Sequence, residues 1–273
     1  MKNVGDILML CESLQDSNVV ANLDSNIWKA EVKFDGERVG IVKKGEDIVL
    51  FNRRGNIITY KFREVVEALK LVQGDFMIDS EVINIDNTIC GNFNLLSRRA
   101  LTKKPEKIKQ LESEIPVMAK VFDILALNGK SLVNEPLFKR KEILKGLIQN
   151  SKHLEVVEYE DINNLLVQVI EGKGEGIVIK NINSFYESRR SKNCLKYKLF
   201  QETTITITGF TENPSGIRAT DKDEFIAVQI SGLQSEEVKQ KILAEGKADI
   251  NIQYLTKSEE GKYRFPSFRG LVK

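Results

Sequence analysis

The stretch that decides the fold is residues 33–38, which read K-F-D-G-E-R. In the segment that leads into it, residues 28–34, even-numbered positions are apolar and odd-numbered positions are charged. A period of two residues is typical of a strand, and Gly36 marks a turn after that strand. Lys33 therefore lies at a strand end, either in a polar hairpin or as a nucleophile that attacks a nucleotide phosphate. Matching elements downstream have to decide between these two interpretations.

Length and composition predict an ordinary globular protein with more than one domain. The chain has 273 residues, of which 41% are hydrophobic and 29% are charged. These shares are ordinary for a soluble protein, and the length favours one large domain plus a small one. The formal net charge is only +2, so a nucleic-acid surface has to be a local patch of basic residues.

Cysteine and histidine content restricts the chemistry and the compartment. Cys11, Cys90 and Cys194 are odd in number and widely spaced, which favours unpaired thiols in a reducing compartment over a disulfide framework or a zinc site. His153 is the only histidine, so histidine relays are not expected. No stretch resembles a signal peptide or a membrane span, and we expect a cytoplasmic protein that contacts no membrane.

Strand and helix patterns are intermixed over residues 1–200, which predicts an α+β core. A short helix is expected within residues 1–26, and a hairpin is expected around Gly45. Other elements follow from apolar residues that recur with the period of a strand or a helix. The expected strands are 76–85, 117–127, 153–159, 177–180 and 195–199, and the expected helices are 62–69, 93–101, 105–114, 137–148 and 161–171.

The pattern changes after residue 200, where short β-rich segments dominate. Residues 203–210, 225–231 and 248–255 are expected strands, and residues 235–245 form an expected amphipathic helix. Short strands interrupted by one helix suit a small barrel such as an OB-fold. We therefore expect two domains, 1–200 and 201–273.

Several charged residues stand in positions where charge is costly or clustered. Glu81 lies inside an apolar strand, where an acid needs a partner or a cation. Glu175 and Lys180 lie at the two ends of another apolar strand, and Lys196 and Lys198 are two residues apart and leave one face of a strand. Together with Lys33 they supply a nucleophile, acids for a divalent metal and cations for phosphates, which is the inventory of nucleotidyl transfer.

These residues belong to an ordered series of short motifs along the chain. The motifs are K-F-D-G-E-R at 33–38, R-R-G at 53–55, D-S-E at 79–81, F-D-I-L-A-L-N-G at 122–129, E-G-I-V-I-K at 175–180, L-K-Y-K at 195–198 and R-F-P-S-F at 264–268. In this order the series resembles the ATP-dependent DNA ligases of the covalent nucleotidyltransferase superfamily. The resemblance implies an adenylyltransferase (ATP-grasp-like nucleotidyltransferase) domain in residues 1–200 and an OB-fold domain in residues 201–273.

The resemblance also implies roles for single residues. Lys33 would attack the α-phosphate of ATP and carry AMP as a phosphoramidate. Glu31 would recognise the adenine amino group, and Phe122 would stack on the purine. Arg38 and Arg53 would hold ribose or phosphate, and Arg38 would also contact the 5′-phosphate of a DNA nick.

Further implied contacts involve acids and lysines. Glu81 and Glu175 would bind ribose or a divalent metal, Mg²⁺ or Mn²⁺. Lys196 and Lys198 would neutralise the α-phosphate in the transition state. Lys180 would also contact the nucleotide, although in a regular strand it would point away from Glu175, five residues earlier.

The implied substrate is nicked double-stranded DNA, which a monomeric enzyme would bind mainly through its phosphates. Candidate phosphate contacts include the basic runs at 103–104, 139–141 and 189–192. The arginines assigned to DNA are Arg38, Arg98, Arg99, Arg189 and Arg190. Each run can equally be a solvated face.

Three departures from the family pattern concern Ser80, Cys194 and the C-terminal residues. Ser80 replaces a glycine, and Cys194 replaces the usual tryptophan. The closing R-x-D-K element is not found after Phe268, so either Arg269 or Lys273 substitutes for it or self-adenylation is slow. The alternative functions are an RNA ligase or mRNA-capping guanylyltransferase, and a nucleic-acid-binding protein without catalysis. Covalent labelling with ATP or GTP would distinguish them.

Overall fold

The computed structural model describes residues 4–257 and 260–272. The chain divides into two compact units, with the division between Tyr197 and Lys198. No helix in the described part of the chain is long and apolar enough to cross a membrane. Lys273, the candidate substitute at the C-terminus, lies outside the described residues.

The first unit contains ten strands and six α-helices among its described residues. The strands are β1 (Leu10–Leu14), β2 (Trp28–Val32), β3 (Glu37–Lys44), β4 (Asp47–Asn52), β5 (Phe76–Asn84), β6 (Val117–Leu127), β7 (Lys130–Ser131), β8 (Leu154–Val156), β9 (Gly176–Asn181) and β10 (Arg190–Lys198). The helices are α1 (Ser17–Ala21), α2 (Arg63–Lys70), α3 (Phe93–Ala100), α4 (Pro105–Glu114), α5 (Leu137–Leu147) and α6 (Ile162–Glu171). The mixture is the α+β core that the sequence predicts.

These strands form two sheets. The first has the order β1-β10-β9-β2, in which β1 and β10 run parallel and β2 and β9 run antiparallel. The second has the order β4-β3-β5-β6-β7, and β8 pairs in parallel with β6. The chain passes from the first sheet to the second between β2 and β3, which is where residues 33–36 lie.

The core of the first unit lies between the second sheet and helices α2, α3 and α5. Inward residues of the strands, such as Ile41 and Ile78, are buried together with Leu69 of α2, Leu96 of α3 and Leu144 of α5. The β3–β4 hairpin closes where the sequence predicts it, with Gly45 at φ +57°. That left-handed conformation is one that glycine adopts at little cost.

The second unit is built mainly from antiparallel strands. They are β11 (Gln201–Ile207), β12 (Gly209–Asn213), β13 (Gly216–Thr220), β14 (Ala227–Ile230), β15 (Ala248–Tyr254), β16 (Thr256–Lys257), β17 (Tyr263–Arg264) and β18 (Ser267–Leu271), with α7 (Leu233–Glu245) between β14 and β15. Two three-stranded sheets have the orders β11-β15-β18 and β12-β13-β14. Ile207, Ile217, Val228 and Ile250 form a core with Val238 of α7.

The N-terminal segment differs from the prediction of a helix within residues 1–26. Leu10–Leu14 is a strand that pairs with β10, and the α-helix in this region is the short α1. The prediction of a short helix rested on the spacing of Ile7, Leu8, Leu10 and Leu14, and the last two of these lie in the strand. A partner strand 180 residues away in sequence satisfies the backbone of β1, and such distant pairing overrides local propensity.

The cysteines also differ from the prediction, because Cys11 and Cys194 form a disulfide bond. The bond joins β1 to β10 across the parallel pair, and Cys194 is buried beside Met9, Leu125 and Tyr186. Only Cys90, of the three cysteines, is an unpaired thiol. The prediction of unpaired thiols was wrong for Cys11 and Cys194, because the parallel pairing of β1 and β10 brings these two positions together.

We expect the double substitution Cys11→Ala and Cys194→Ala to lower the stability of the oxidised protein. The disulfide closes a loop with a sequence separation of 183, and cross-links of this kind typically contribute about 2–4 kcal/mol. Thermal unfolding of the parent with and without a reductant should show the same loss. The double variant should melt at one temperature in both buffers, and a parent that melts identically in both would contradict the disulfide.

Candidate active site

Lys33 lies at the end of β2, where the chain leaves the first sheet. Its backbone N–H donates to the carbonyl of Gly176 at 2.9 Å, and its Nζ donates to Oε2 of Glu175 at 2.6 Å. The Lys33 side chain is 20% exposed and that of Glu175 is 6% exposed. Lys33 is thus held by a carboxylate and still reachable from solvent.

The turn after Lys33 depends on Gly36. A Cβ atom at position 36 would overlap the carbonyl oxygen of Val82 and crowd the side chains of Glu81 and Ile83. Only a glycine lets the turn approach β5 so closely. Residue Asp35 anchors the same turn, because its backbone N–H donates to the carbonyl of Cys90 at 2.8 Å. The glycine of the motif therefore places Lys33 and Glu81 near one another.

Arg38 is held by a bidentate ion pair with Asp79 on the neighbouring strand. Nε lies 2.6 Å from Oδ1, and Nη2 lies 2.5 Å from Oδ2. The Tyr186 hydroxyl donates to Oδ2 of Asp79 at 2.6 Å, and it accepts from the backbone N–H of Met9 at 2.9 Å. Fork geometry and charge make such pairs strong and directional. The guanidinium also lies 4.7 Å from the centroid of the Phe122 ring.

Glu81 shares this electrostatic environment. Burial raises its pKa to about 7; Arg38 and Lys33 act to lower the pKa, whereas Asp79 and Glu175 act to raise it. Carboxylates and cations therefore lie close together at this site. Their positions within the strands predict this, because side chains alternate between the two faces of a strand. A carboxyl group with a pKa near 7 changes its charge in the range where an enzyme works.

Glu31 forms a second buried cluster on β2. Its Oε1 lies 2.5 Å from Nζ of Lys141, and its Oε2 lies 2.7 Å from Nζ of Lys180. The Lys180 ammonium also lies 4.6 Å from the centroid of the Phe122 ring. Phe122 is thus flanked by Arg38 of one cluster and Lys180 of the other.

The predicted direction of Lys180 is wrong. Glu175 precedes β9, and Gly176 has φ +146°, a conformation that other residues rarely adopt. Strand alternation therefore does not extend back to Glu175. Lys180 contacts Glu31 and Phe122, which are themselves predicted nucleotide contacts.

The three remaining predicted nucleotide contacts are Lys196, Lys198 and Arg53. Lys196 and Lys198 are half-buried on β10, two residues apart, and therefore share a face. The Lys198 ammonium lies 4.6 Å from the ring centroid of Phe265. Arg53 lies in an exposed turn after β4, organised by the Asn52 side chain, which accepts from the backbone of Arg54 and Asn56.

One arginine assigned to DNA is a structural residue. Arg99 is fully buried, and its guanidinium pairs with both carboxylate oxygens of Glu64 and with the carbonyls of Lys61 and Ile115. A buried guanidinium cannot reach a phosphate, so the prediction for Arg99 was wrong. The prediction that the run at 139–141 contacts phosphates was wrong for the same reason at Arg140 and Lys141, because both are buried.

Arg98, Arg189 and Arg190 are exposed, whereas Arg38 is half-buried in its pair with Asp79. Arg98 lies 3.6 Å from Glu114, and Arg189 lies 2.7 Å from Glu187. The Arg190 guanidinium donates to the carbonyl of Cys11 at 2.5 Å. Exposed ion pairs of this kind contribute little to stability, which leaves these side chains available to an anionic partner.

Sequence reasoning gave no role to Tyr186 and assigned Lys141 to the surface. A signal for Lys141 was present, because the buried positions of α5 are 137, 140, 141 and 144. That spacing is the inward face of a helix, and Leu137 and Leu144 mark it. A charged residue on such a face requires a buried partner. For Tyr186 the sequence carried no comparable signal.

Comparison with known proteins gives a consistent result. A family model described as the ATP dependent DNA ligase domain matches residues 8–198. A DNA ligase of Methanococcoides burtonii is 32% identical over 78% of this chain and 39% of that protein. The SPbeta prophage-derived DNA ligase-like protein LigB of Bacillus subtilis is 30% identical over 87% of this chain and 90% of that protein. The chain thus spans less than half of the first relative and most of the second.

The fold has a counterpart among solved structures. A structure of a Lig E DNA ligase aligns with a TM-score of 0.68 over 100% of both chains, at 17% identity. At that identity the likeness concerns the fold. It covers the mixed α and β architecture described above.

We expect Arg99→Met to destabilise the first unit by roughly 2–4 kcal/mol, because it leaves the Glu64 carboxylate without its cation. The matched control is Arg98→Met on the same helix, whose partner is exposed and whose loss should cost at most about 0.5 kcal/mol. Chemical denaturation of the two variants measures the difference. Equal stabilities for the two variants would mean that the Arg99 pair has no structural role.

We expect Glu81→Gln to change how stability depends on pH. Between the ordinary pKa of 4.5 and the folded value of about 7, the unfolded chain loses this proton while the folded protein retains it. Stability from Glu81 is therefore fully present below 4.5 and is lost as the pH rises to 7. Glutamine cannot ionise, so the variant should gain roughly 2–3 kcal/mol relative to the parent at pH 8 and nothing at pH 4.

Denaturation in metal-free buffer at several pH values tests this expectation. Glu46→Gln, in the exposed β3–β4 turn, should follow the parent at every pH. A constant difference between Glu81→Gln and the parent across this range would refute a raised pKa at Glu81.

Proposed function

Because the chain belongs to the ATP-dependent DNA ligase family, we propose that it seals 5′-phosphate/3′-hydroxyl nicks in duplex DNA through an AMP adduct on Lys33. The observation that carries the proposal is the environment of this lysine. Lys33 is partly exposed, bound to Glu175 at 2.6 Å, and placed by a glycine turn beside Glu81. A solvated hairpin lysine would need none of these features.

The first step is a nucleotidyl transfer, in which AMP moves from ATP to the lysine. An ammonium group is not nucleophilic, so Lys33 has to lose a proton before it attacks. The Glu175 carboxylate is in contact with Nζ and can accept that proton. The Nζ–P bond forms at the α-phosphate of ATP as the bond to pyrophosphate breaks. AMP is then held as a phosphoramidate.

Glu31 and Phe122 are the proposed adenine contacts. The half-buried Phe122 ring lies close to two cations, Arg38 and Lys180, and is the proposed stacking partner of the purine. Oε1 of Glu31 is buried against the Lys141 ammonium at 2.5 Å. An amino group on the base would use the second lone pair of this oxygen.

A divalent ion, Mg²⁺ or Mn²⁺, fits beside Glu81 and Glu175. The described residues contain no group of three acidic, histidine or cysteine side chains that could hold a metal alone. Mg²⁺ is commonly held by one or two carboxylates and by substrate phosphates and water, and two coupled carboxylates are present. When bound, the ion would neutralise charge on the phosphates. Glu81 would have to be ionised to bind it.

The remaining cations are assigned to phosphates and ribose. Arg38, fixed by Asp79, would hold ribose or the 5′-phosphate of the nick, and Arg53 and Lys180 would complete the nucleotide contacts. Lys196 and Lys198 would neutralise the α-phosphate as negative charge develops. AMP would then pass to the 5′-phosphate, and the 3′-hydroxyl would displace AMP to form the phosphodiester bond.

The second unit fits an OB-fold barrel. β11 and β12 are separated by the single residue Thr208, so they can be read as one bent strand shared by both sheets. β14 packs against β18, which brings the far edges of those sheets together. Five strands with a helix after the third are the arrangement of this barrel.

Duplex DNA would be bound largely through its backbone. Arg98, Arg189 and Arg190 are exposed and suit phosphates, which carry no sequence information. Sealing should therefore weaken steeply as salt rises and depend little on the bases around the nick. We propose that the protein acts as a monomer on its nicked substrate.

We expect Lys33→Ala to abolish covalent labelling by ATP and to leave sealing of a nick that already carries 5′-AMP largely intact. The variant removes only the carrier, while the acids and cations needed for later steps remain. The measurement is acid-labile label from α-labelled ATP on denatured protein, followed by sealing of the pre-adenylated nick. Lys44→Ala, in the exposed β3–β4 turn, is the control and should behave like the parent.

Other substrates distinguish this proposal from related reactions. An RNA nick and single-stranded RNA ends, each pre-adenylated, are assayed beside the DNA nick at two salt concentrations. Preference for single-stranded RNA would identify an RNA ligase, and label from GTP in place of ATP would identify a capping-type enzyme. Label retained on Lys33→Ala would remove Lys33 from the mechanism.

A further inference from the structure

Glu31 is bound by two lysines that lie on different sides of it. Lys180 approaches from β9 and also contacts the Phe122 ring, so it lies toward the proposed adenine site. Lys141 approaches from α5, and its Nζ also donates to the carbonyl of Val157 at 2.6 Å. The side chains of all three charged residues are at most 7% exposed. Lys141 therefore lies behind Glu31, with no described contact to Phe122.

The geometry at Lys141 fixes the carboxylate without using up its acceptor capacity. Nζ is 2.5 Å from Oε1 of Glu31, and the same ammonium donates to the Val157 carbonyl. A carboxylate oxygen has two lone pairs, so Oε1 retains one for an N–H donor.

We propose that Lys141 is a positioning residue that sets the nucleobase preference of the enzyme by holding the Glu31 carboxylate in a fixed orientation. The inference rests on the proposed function, because it concerns the base of the nucleotide that labels Lys33. An ionised carboxylate only accepts hydrogen bonds. It therefore pairs with the amino group of adenine and repels the carbonyl oxygen that guanine presents at the same position.

Loss of Lys141 should weaken this discrimination. Only Lys180 would then hold Glu31, and the carboxylate would turn toward that single cation. That rotation moves the acceptor away from the amino group and reduces the advantage of adenine over guanine.

The test is covalent labelling of the full chain with ATP and with GTP over a range of nucleotide concentrations. We expect Lys141→Met to lower the ATP-to-GTP ratio of labelling efficiency by about tenfold, the size of one well-placed charged hydrogen bond. The change should lie mainly in the ATP concentration for half-maximal rate, and the maximal rate should change much less. Because both nucleotides are tested on one preparation, a smaller folded fraction cancels from the ratio.

Two further variants make the outcome specific. Lys145→Met is the matched control, one turn later on α5, where its partner Glu158 is exposed; it should retain the parent ratio. In a Glu31→Gln background, Lys141→Met should leave the ratio unchanged, because a residue that acts through Glu31 has nothing left to position.

Three results would overturn the inference while leaving the proposed function intact. They are an unchanged ratio in Lys141→Met, an equal loss of ATP and GTP labelling, and a further fall of the ratio in the Glu31→Gln background. If the parent forms no adduct with ATP, the proposed function fails and the inference fails with it.

Discussion

A carboxylate that is removed from water has to be matched by a cation, and this constraint organises the region around Lys33. Asp79 is matched by Arg38, Asp123 by Arg140, and Glu31 by Lys141 and Lys180. Each pair joins two elements that are distant in sequence. The pairs therefore fix how the strands that carry Lys33, Arg38 and Phe122 lie relative to one another.

Glu81 and Glu175 have different surroundings from these acids. Asp79 and Asp123 are each paired with a guanidinium group, whereas Glu175 pairs with a partly exposed lysine and Glu81 has a pKa near neutrality. The first setting suits a structural role, and the second suits the proposed chemistry. This difference also explains how one small region can hold many charges and still leave some of them responsive to a ligand.

Sequence periodicity predicted the faces of strands well and their partners poorly. The alternation before Lys33, the hairpin at Gly45 and the shared face of Asp79 and Glu81 all follow from local pattern. The pairing of β1 with β10, the disulfide that it permits, and the burial of Arg99 depend on residues far along the chain. Lys141 is an intermediate case. The sequence places it on the inward face of α5, but it does not show which carboxylate lies opposite.

Gly36 and Lys33 belong to one motif but are required for different reasons. Because the carbonyl of Val82 occupies the space where a side chain would begin, any chain that crosses between these sheets in this way needs a glycine there, whatever it catalyses. The lysine three residues earlier is under no such steric requirement. A descendant that lost its chemistry could replace the lysine freely and would still keep the glycine. The glycine therefore identifies the architecture, and the lysine is the residue on which the proposed adenylation depends.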